Sequence, residues 1–189
     1  MEKRIVRREL TGTQVELTDL PPLLQRIYAH RDVHTKEQLS RDLSQLHPYH
    51  LLKNIDSAVE LLVAALKQQK KIIIIGDFDA DGATSTTLAV KALRAFGCNN
   101  VDFVIPNRFD YGYGLTPEIV EVAKTKSPDL IITVDNGISS IAGVKLAREY
   151  GIDVLVTDHH LPGDYIPEDC VIVNPNQKGD VFPSKCMAG

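Results

Sequence analysis

With 189 residues, 43% of them hydrophobic, the chain can bury a core of its own, which excludes a disordered or fibrous polymer. Three cysteines, Cys98, Cys170 and Cys186, are an odd number at no metal-ligand spacing; they argue against a disulfide framework or a zinc module and read as reduced structural thiols. A formal net charge of -4 argues against a general nucleic-acid coat, because such binding rests on phosphate neutralisation by Lys and Arg. It leaves room for a local basic track. Lys3, Arg4, Arg7 and Arg8, against the single acid Glu2, form one candidate, and a solvated terminus explains them equally well.

The start "MEKRIVRREL" lacks the apolar stretch of a secretory signal, and no segment approaches the roughly 18 to 20 uninterrupted apolar residues of a membrane span. A cytoplasmic protein without a membrane partner is expected. Up to about residue 50 the pattern is short and broken. A brief helix after Pro21 and Pro22 and another turn or two in "HTKEQLS" read as a small N-terminal helical or irregular appendage, residues 1–50, ahead of a domain at 51–189. From Asn54, Ile55, Val59, Leu62, Val63 and Leu66 recur at helical spacing, with Ser57 and Glu60 matching a capping box near the start. A helix to about Gln69 follows.

Then comes an alternation that decides the fold class. Apolar runs stand at 72–75 ("IIII"), 101–105 ("VDFVI"), 130–134 ("LIITV"), 153–157 ("DVLVT") and 170–173 ("CVIV"). Helical patterns lie between them at about 83–96, 116–125 and 139–149, with Gly97 and Gly151 placed as C-caps. Continuous apolar strands separated by helices predict an α/β fold: a doubly wound, mostly parallel five-stranded sheet covered by helices on both faces.

Three of the runs end in acid: "IIIIGD" at Asp77, "LIITVD" at Asp135 and "DVLVTD" at Asp158, the last followed by His159 and His160. In an open parallel sheet, ligands bind at the carboxyl ends of the strands, so residues distant in sequence are expected to converge there. Gathering Asp77, Asp79, Asp81, Asp135 and Asp158 costs several kcal/mol in repulsion and desolvation unless cations or protons compensate. A divalent metal is the economical compensation, and mixed carboxylate and imidazole ligation suits Mn²⁺ or Mg²⁺ better than zinc. Two histidines on a turning backbone point different ways, so one can bind metal while the other faces substrate.

Competing readings of "DFDADG" fail on particular residues. An EF-hand loop needs a bidentate Glu at its twelfth position, where Leu88 stands, and a helix upstream, where the isoleucine strand stands. A haloacid-dehalogenase-type phosphatase needs Thr or Val two residues after its second Asp, where Asp81 or Ala83 stands. No GxxxxGK[ST] is present, and "DYGYGLTP" lacks the third glycine of GxGxxG.

Taken together, "GDFDADGATS", "VDNGISS" and "TDHHLPG" resemble the successive motifs of the DHH phosphoesterase superfamily over about residues 71–176. "VIPNRFDYGYGL" and "VIVNPNQKGDVFPSKCMAG" resemble its RecJ branch of single-strand-specific 5′ to 3′ DNA exonucleases. The resemblance implies Asp79, Asp81, Asp135 and His159 as metal ligands, Asp135 bridging two ions, and Mn²⁺ or Mg²⁺ as cofactor. Asp77 is implied as a ligand or an acid beside one, Asp158 as the group orienting an imidazole, and His160 as facing the scissile phosphate, these three forming the catalytic set. It further implies hydrolysis of single-stranded DNA in recombination and repair, with a single-stranded-DNA-binding protein and a helicase as companion partners. The alternatives kept open are a phosphoesterase for short oligonucleotides, cyclic dinucleotides or pyrophosphate, and a silent metal- or nucleic-acid-binding module. In such enzymes a further aspartate and a second domain follow the third motif, so an N-terminal fragment is expected.

Candidate substrate contacts come from other loops. Asn107, Arg108, Phe109, Tyr111 and Tyr113 combine a guanidinium with aromatic faces suited to phosphate and unpaired bases, while a packed loop held by Gly112 and Gly114 is the plainer reading. The helix starts after "DNGISS" and after Gly82 offer free N–H groups which, with Ser139 or Ser140, suit a phosphate; capping alone explains the serines equally well.

Overall fold

Four consecutive isoleucines, Ile72–Ile75, form strand β1, and all four are buried because alternate side chains enter opposite cores. Ile73 and Ile75 belong to one cluster, Ile72 and Ile74 to the other. A computed structural model describes residues 4, 6, 17–40 and 42–188, with Arg108 described through its backbone alone. The basic-track residues Lys3, Arg7 and Arg8, with Glu2, lie outside the described residues; Arg4 is exposed.

The chain divides into two units, Met1–Leu46 and His47–Gly189. The first holds α1, Pro22–Ala29, which begins on a proline whose missing N–H costs nothing in a first turn. Single 3₁₀ turns at Glu37–Leu39 and Leu43–Gln45 follow, the second capped by the Asp42 carboxylate.

The second unit is a five-stranded sheet: β1, β2 (Val101–Val104), β3 (Leu130–Val134), β4 (Asp153–Thr157) and β5 (Val171–Val173). Every pairing is parallel, and the order is β2-β1-β3-β4-β5. The expected doubly wound sheet is present, parallel throughout. Helices α2 (Ile55–Lys67) and α3 (Ala80–Ala95) pack on one face, through Ala58, Ala65, Val90 and Leu93. Helices α5 (Pro117–Lys124) and α6 (Ile141–Glu149) cover the other, through Ile119, Val120, Val144 and Ala147. Each fully buried isoleucine or valine contributes roughly 1.5–3 kcal/mol, so the two cores are what hold the sheet's rim in place.

Several local expectations change. Helix α2 starts at Ile55, so Ser57 lies inside it and caps nothing. Asn54 stands at the N-cap with φ 65° and spends its amide on the Ile172 carbonyl, 2.9 Å away, which ties the helix to β5. Helix α3 starts at Ala80, three residues ahead of the expected start, because the Asp79 carboxylate accepts the Gly82 N–H at 2.9 Å. The segment around residue 108, read from the sequence as a loop, carries one helical turn, α4 (Arg108–Tyr111). The two C-cap glycines do adopt the left-handed region, Gly97 at φ 90° and Gly151 at φ 75°. No helix among the described residues is long and apolar enough to cross a membrane.

Candidate metal centre

The strand order reverses between β1 and β3: the chain leaves β1 toward β2 on one side, then returns to build β3, β4 and β5 on the other. That reversal opens a crevice at the carboxyl ends of the two central strands. Asp77 lies two residues beyond β1 and Asp135 one residue beyond β3, so both stand at the crevice. Both are buried.

One oxygen each of Asp77, Asp79 and Asp135 fall within 4.8 Å of one another, as do donor atoms of Asp135, His159 and His160. Asp135 is common to the two groups. Nε2 of His159 lies 2.8 Å from Oδ1 of Asp135 and 3.6 Å from Oδ2 of Asp81, which brings Asp81 to the same place. Burial pushes the Asp135 carboxyl above the usual carboxylate range; the Asp81 charge adds to this, the His159 hydrogen bond and charge oppose it, and Asp79 adds a little more. A buried carboxylate whose charge is disfavoured in this way is a site that a cation would relieve. The donor set, carboxylates plus an imidazole without thiolate, fits Mn²⁺ or Mg²⁺.

The loops are built to hold these side chains. Asp135 sits at φ 62°, a left-handed conformation that a non-glycine residue adopts at a cost, roughly 1–3 kcal/mol, and that turns its carboxylate out of the strand direction. Gly82 is required by a close approach. A Cβ there would lie 2.5 Å from the Asp77 carbonyl oxygen and 2.6 Å from the Asp77 Cβ, so only glycine lets the first turn of α3 pack on the β1 end. Asp79 serves both as the α3 cap and as a member of the donor group with Asp77 and Asp135.

Asp158 is fully engaged. Its Oδ1 accepts the His159 N–H at 2.7 Å and the His160 N–H at 3.1 Å, and lies 2.8 Å from the His160 Nδ1. Its Oδ2 accepts the Ile138 N–H at 2.8 Å. With no oxygen free of the loop, its chemistry is to fix the His160 ring, with Nδ1 toward the carboxylate. The Tyr113 hydroxyl donates to the Asp135 carbonyl at 3.1 Å and stands 3.1 Å from Nδ1 and 3.3 Å from Nε2 of His160.

A cleft of about 400 Å³ beside His160 is lined by Tyr113, Ser139, Ser140 and Asp158. A second, of about 290 Å³, lies beside His159 and is lined by Ser85, Leu88, Asp158 and Pro175. Of the expected substrate contacts, Tyr113 and Ser139 therefore face the first cleft. Ser140 lines it too; its hydroxyl accepts the Leu115 N–H at 3.0 Å and gives no side-chain cap to α6, so the capping explanation does not hold for it, while its O–H stays available to donate. Asn107 bonds within its own turn, Nδ2 to Asp110 at 2.6 Å and Oδ1 from the Phe109 N–H at 3.1 Å. The Arg108 side chain lies outside the described residues.

Three amides escaped sequence reading. Asn136 donates to the carbonyls of Ile75 and Val134 at 3.1 and 2.9 Å, stitching β1 to β3 under the acids. Asn174 and Asn176 donate to the carbonyls of His160 and His159 at 3.0 and 2.5 Å. Their signal in the sequence was a polar residue within three positions of the end of β3 or β5.

The family model described as the DHH family, N-terminal domain, matches residues 71–188. The single-stranded-DNA-specific exonuclease RecJ of Salmonella typhimurium is 51% identical over 188 residues, covering 100% of this chain and 33% of the relative. That of Escherichia coli is 51% identical over 183 residues, covering 97% and 32%. A crystal structure of RecJ in complex with Mn²⁺ from Thermus thermophilus superposes with a TM-score of 0.64 at 35% identity, over 90% of this chain and 23% of that one. The chain thus spans about a third of the length of the curated relatives it matches. The family match takes in every strand of the sheet and well over half of the chain, and on that ground the chain belongs to the DHH family.

Proposed function

We propose that the crevice between β1 and β3 hydrolyses phosphodiester bonds with divalent cations, and that at the length of its relatives the protein is a 5′ to 3′ exonuclease of single-stranded DNA. One observation carries the reading: Asp135 belongs to both donor groups, the acids of the β1 end and the histidines of the β4 end. A shared carboxylate is what a two-cation site requires. Relatives that carry the name of single-stranded-DNA-specific exonuclease at 51% identity support the substrate, and a neighbour in complex with Mn²⁺ supports the cofactor.

In this reading Asp77, Asp79, Asp81, Asp135 and His159 hold the cations. The chemistry supplied by a bound divalent cation is Lewis-acid polarisation of the phosphoryl oxygens and of the attacking water. Asp158 keeps the His160 ring fixed by its bond to Nδ1. His160 is then the imidazole proposed to face the scissile phosphate, through the ring edge that also stands 3.3 Å from the Tyr113 hydroxyl. The water oxygen bonds to phosphorus as the bond to the leaving oxygen breaks, and no covalent enzyme intermediate forms. Arg108, Asn107, Tyr113, Ser139 and Ser140 are proposed contacts for the strand; the cleft of about 400 Å³ supports Tyr113 and the serines. We further infer an appendage at 1–50 preceding, in the sequence, the DHH-type domain at 51–189. Single-stranded-DNA-binding protein and a helicase are the companions that would present unpaired ends. A cytoplasmic setting agrees with a DNA substrate and with three free cysteines.

The test is cleavage of a 5′-labelled single strand, a duplex and a dinucleotide with Mn²⁺, by the 189-residue chain and by the full-length protein in parallel. Loss of label from the single strand alone is expected of the full-length protein. Equal cleavage of duplex, or preference for the dinucleotide, would overturn the substrate reading.

A further inference from the structure

We propose that Asn174 and Asn176 are positioning residues for the two histidines: their side-chain amides grip the main chain of His159 and His160 and so set where the imidazoles face. The inference rests on the hydrolytic reading above. Strand β5 runs beside β4 with Val173 paired to Thr157, so the chain leaving β5 passes directly under the Asp158–His160 turn. The ladder continues one step past the strand ends, where the Asp158 N–H donates to the Val173 carbonyl at 3.1 Å. Asn174, wholly buried, then donates from Nδ2 to the His160 carbonyl at 3.0 Å. Its Oδ1 accepts the Asn176 N–H at 2.7 Å, which fixes the next amide in turn. Asn176, half-buried, donates from Nδ2 to the His159 carbonyl at 2.5 Å and to the Lys185 carbonyl at 3.1 Å.

Pro175 between them has a restricted φ and no N–H to place, and the two amides on either side of it reach adjacent residues, Asn174 to His160 and Asn176 to His159. Its carbonyl accepts the Lys185 ammonium at 2.5 Å, which closes the segment from the far side. The carbonyl of a residue and its Cα share one peptide plane; gripping both carbonyls therefore restrains the backbone from which each imidazole leaves. Asp158 grips the same pair by their N–H groups. The imidazoles are thus held from both ends of each residue, a rigid support of the kind that metal-site and catalytic side chains need.

Asparagine supplies a donor and an acceptor on one planar group, and each is used at Asn174. Aspartate has the same shape but faces the histidine carbonyl with a second lone pair. The test uses the full-length protein carrying Asn174→Asp or Asn176→Asp, with Asn176→Ala as the milder variant should an aspartate variant fail to fold. Mn²⁺ affinity is read by calorimetry and kcat and KM on a 5′-labelled single strand. The expected result is a fall of about 10- to 100-fold in Mn²⁺ affinity for the Asn176 variants. For Asn174→Asp the expectation is a similar fall in kcat with KM within about twofold. In a His160→Ala background, Asn174→Asp should add less than about twofold, because the residue acts through His160. Mn²⁺ affinity and kcat near the parent's, or losses that multiply in the double variant as independent structural damage would, overturn the proposal. A parent that binds Mn²⁺ without cleaving DNA defeats the hydrolytic reading instead, and the affinity arm still decides the clamp.

Discussion

His159 and Asp135 leave different strands, stand 24 positions apart in the chain, and meet with Nε2 and Oδ1 2.8 Å apart. The contact links the two donor groups, because Asp135 belongs also to the group of the β1 acids. The junction lies at the point where the strand order reverses, and the proposed cation site depends on it.

Asp135→Asn should make the metal-free protein more heat-stable while abolishing its response to cation. Burial and the Asp81 charge disfavour the Asp135 anion, so the wild-type fold loses stability as pH rises above the ordinary carboxylate value of about 3.9. The amide removes that loss, and asparagine tolerates the φ of 62°. At a Mn²⁺ concentration about 100-fold above its dissociation constant the wild type should gain about 2.7 kcal/mol, and the variant almost nothing. Thermal melts with and without Mn²⁺ decide; an unchanged Mn²⁺ shift in the variant would remove Asp135 from the centre.

Gly82→Ala sets two effects against each other. Helix propensity alone favours alanine by about 1 kcal/mol. The added methyl meets Asp77 at 2.5–2.6 Å, and such overpacking typically costs about 1–3 kcal/mol. The contact should win: a lower Tm together with weakened Mn²⁺ affinity is expected, and a raised Tm would show that the α3 start can move away from Asp77 freely.

Asp153 shows the opposite pH behaviour to Asp135. Burial alone would raise its pKa, but hydrogen bonds from Arg148 and Lys70, and their charges, prevail and hold it below the usual range. A carboxyl lowered in the fold contributes stability above its unfolded value and loses it as pH falls through the folded one. Asp153→Asn should therefore cost about 0.5–1 kcal/mol at pH 7, the pair being part-exposed and screened. The gap between variant and parent should close below about pH 3.9. Urea melts across that range check the sign, and a gap that widens in acid refutes it.

Cysteine chemistry should be selective. Burial, with help from Asp169, pushes the Cys170 thiol up to about 12, whereas Cys186 is exposed. Iodoacetamide at pH 8 should label Cys186 first and leave Cys170 untouched in the native protein, as read by peptide mass spectrometry. Early labelling of Cys170 would mean that the α6–β5 side opens in solution.

Much of the fold was legible because it follows from local pattern. Ile72–Ile75, one of five short Ile- and Val-rich runs alternating with helical patterns, reads as a strand buried on both faces, and such a strand needs helices on each side. The acids at strand ends were legible for the same reason, since topology carries them to one rim. What stayed hidden was set by partners far away in sequence. Ser57 looked like a cap, but Asn54 begins the helix and bonds to Ile172, 118 positions on. Ser140 looked able to cap α6, but its hydroxyl oxygen accepts the Leu115 N–H, 25 positions back, instead. The amides of Asn136, Asn174 and Asn176 bind main-chain carbonyls, and such bonds leave no periodicity to read.

The decisive measurement is anomalous diffraction at the manganese edge from crystals soaked in Mn²⁺. A peak bounded by Asp135 together with either the β1 acids or His159 is the expected result, and two peaks with Asp135 between them is its full form. Strong peaks elsewhere on the molecule, with this crevice bare at millimolar Mn²⁺, would contradict it.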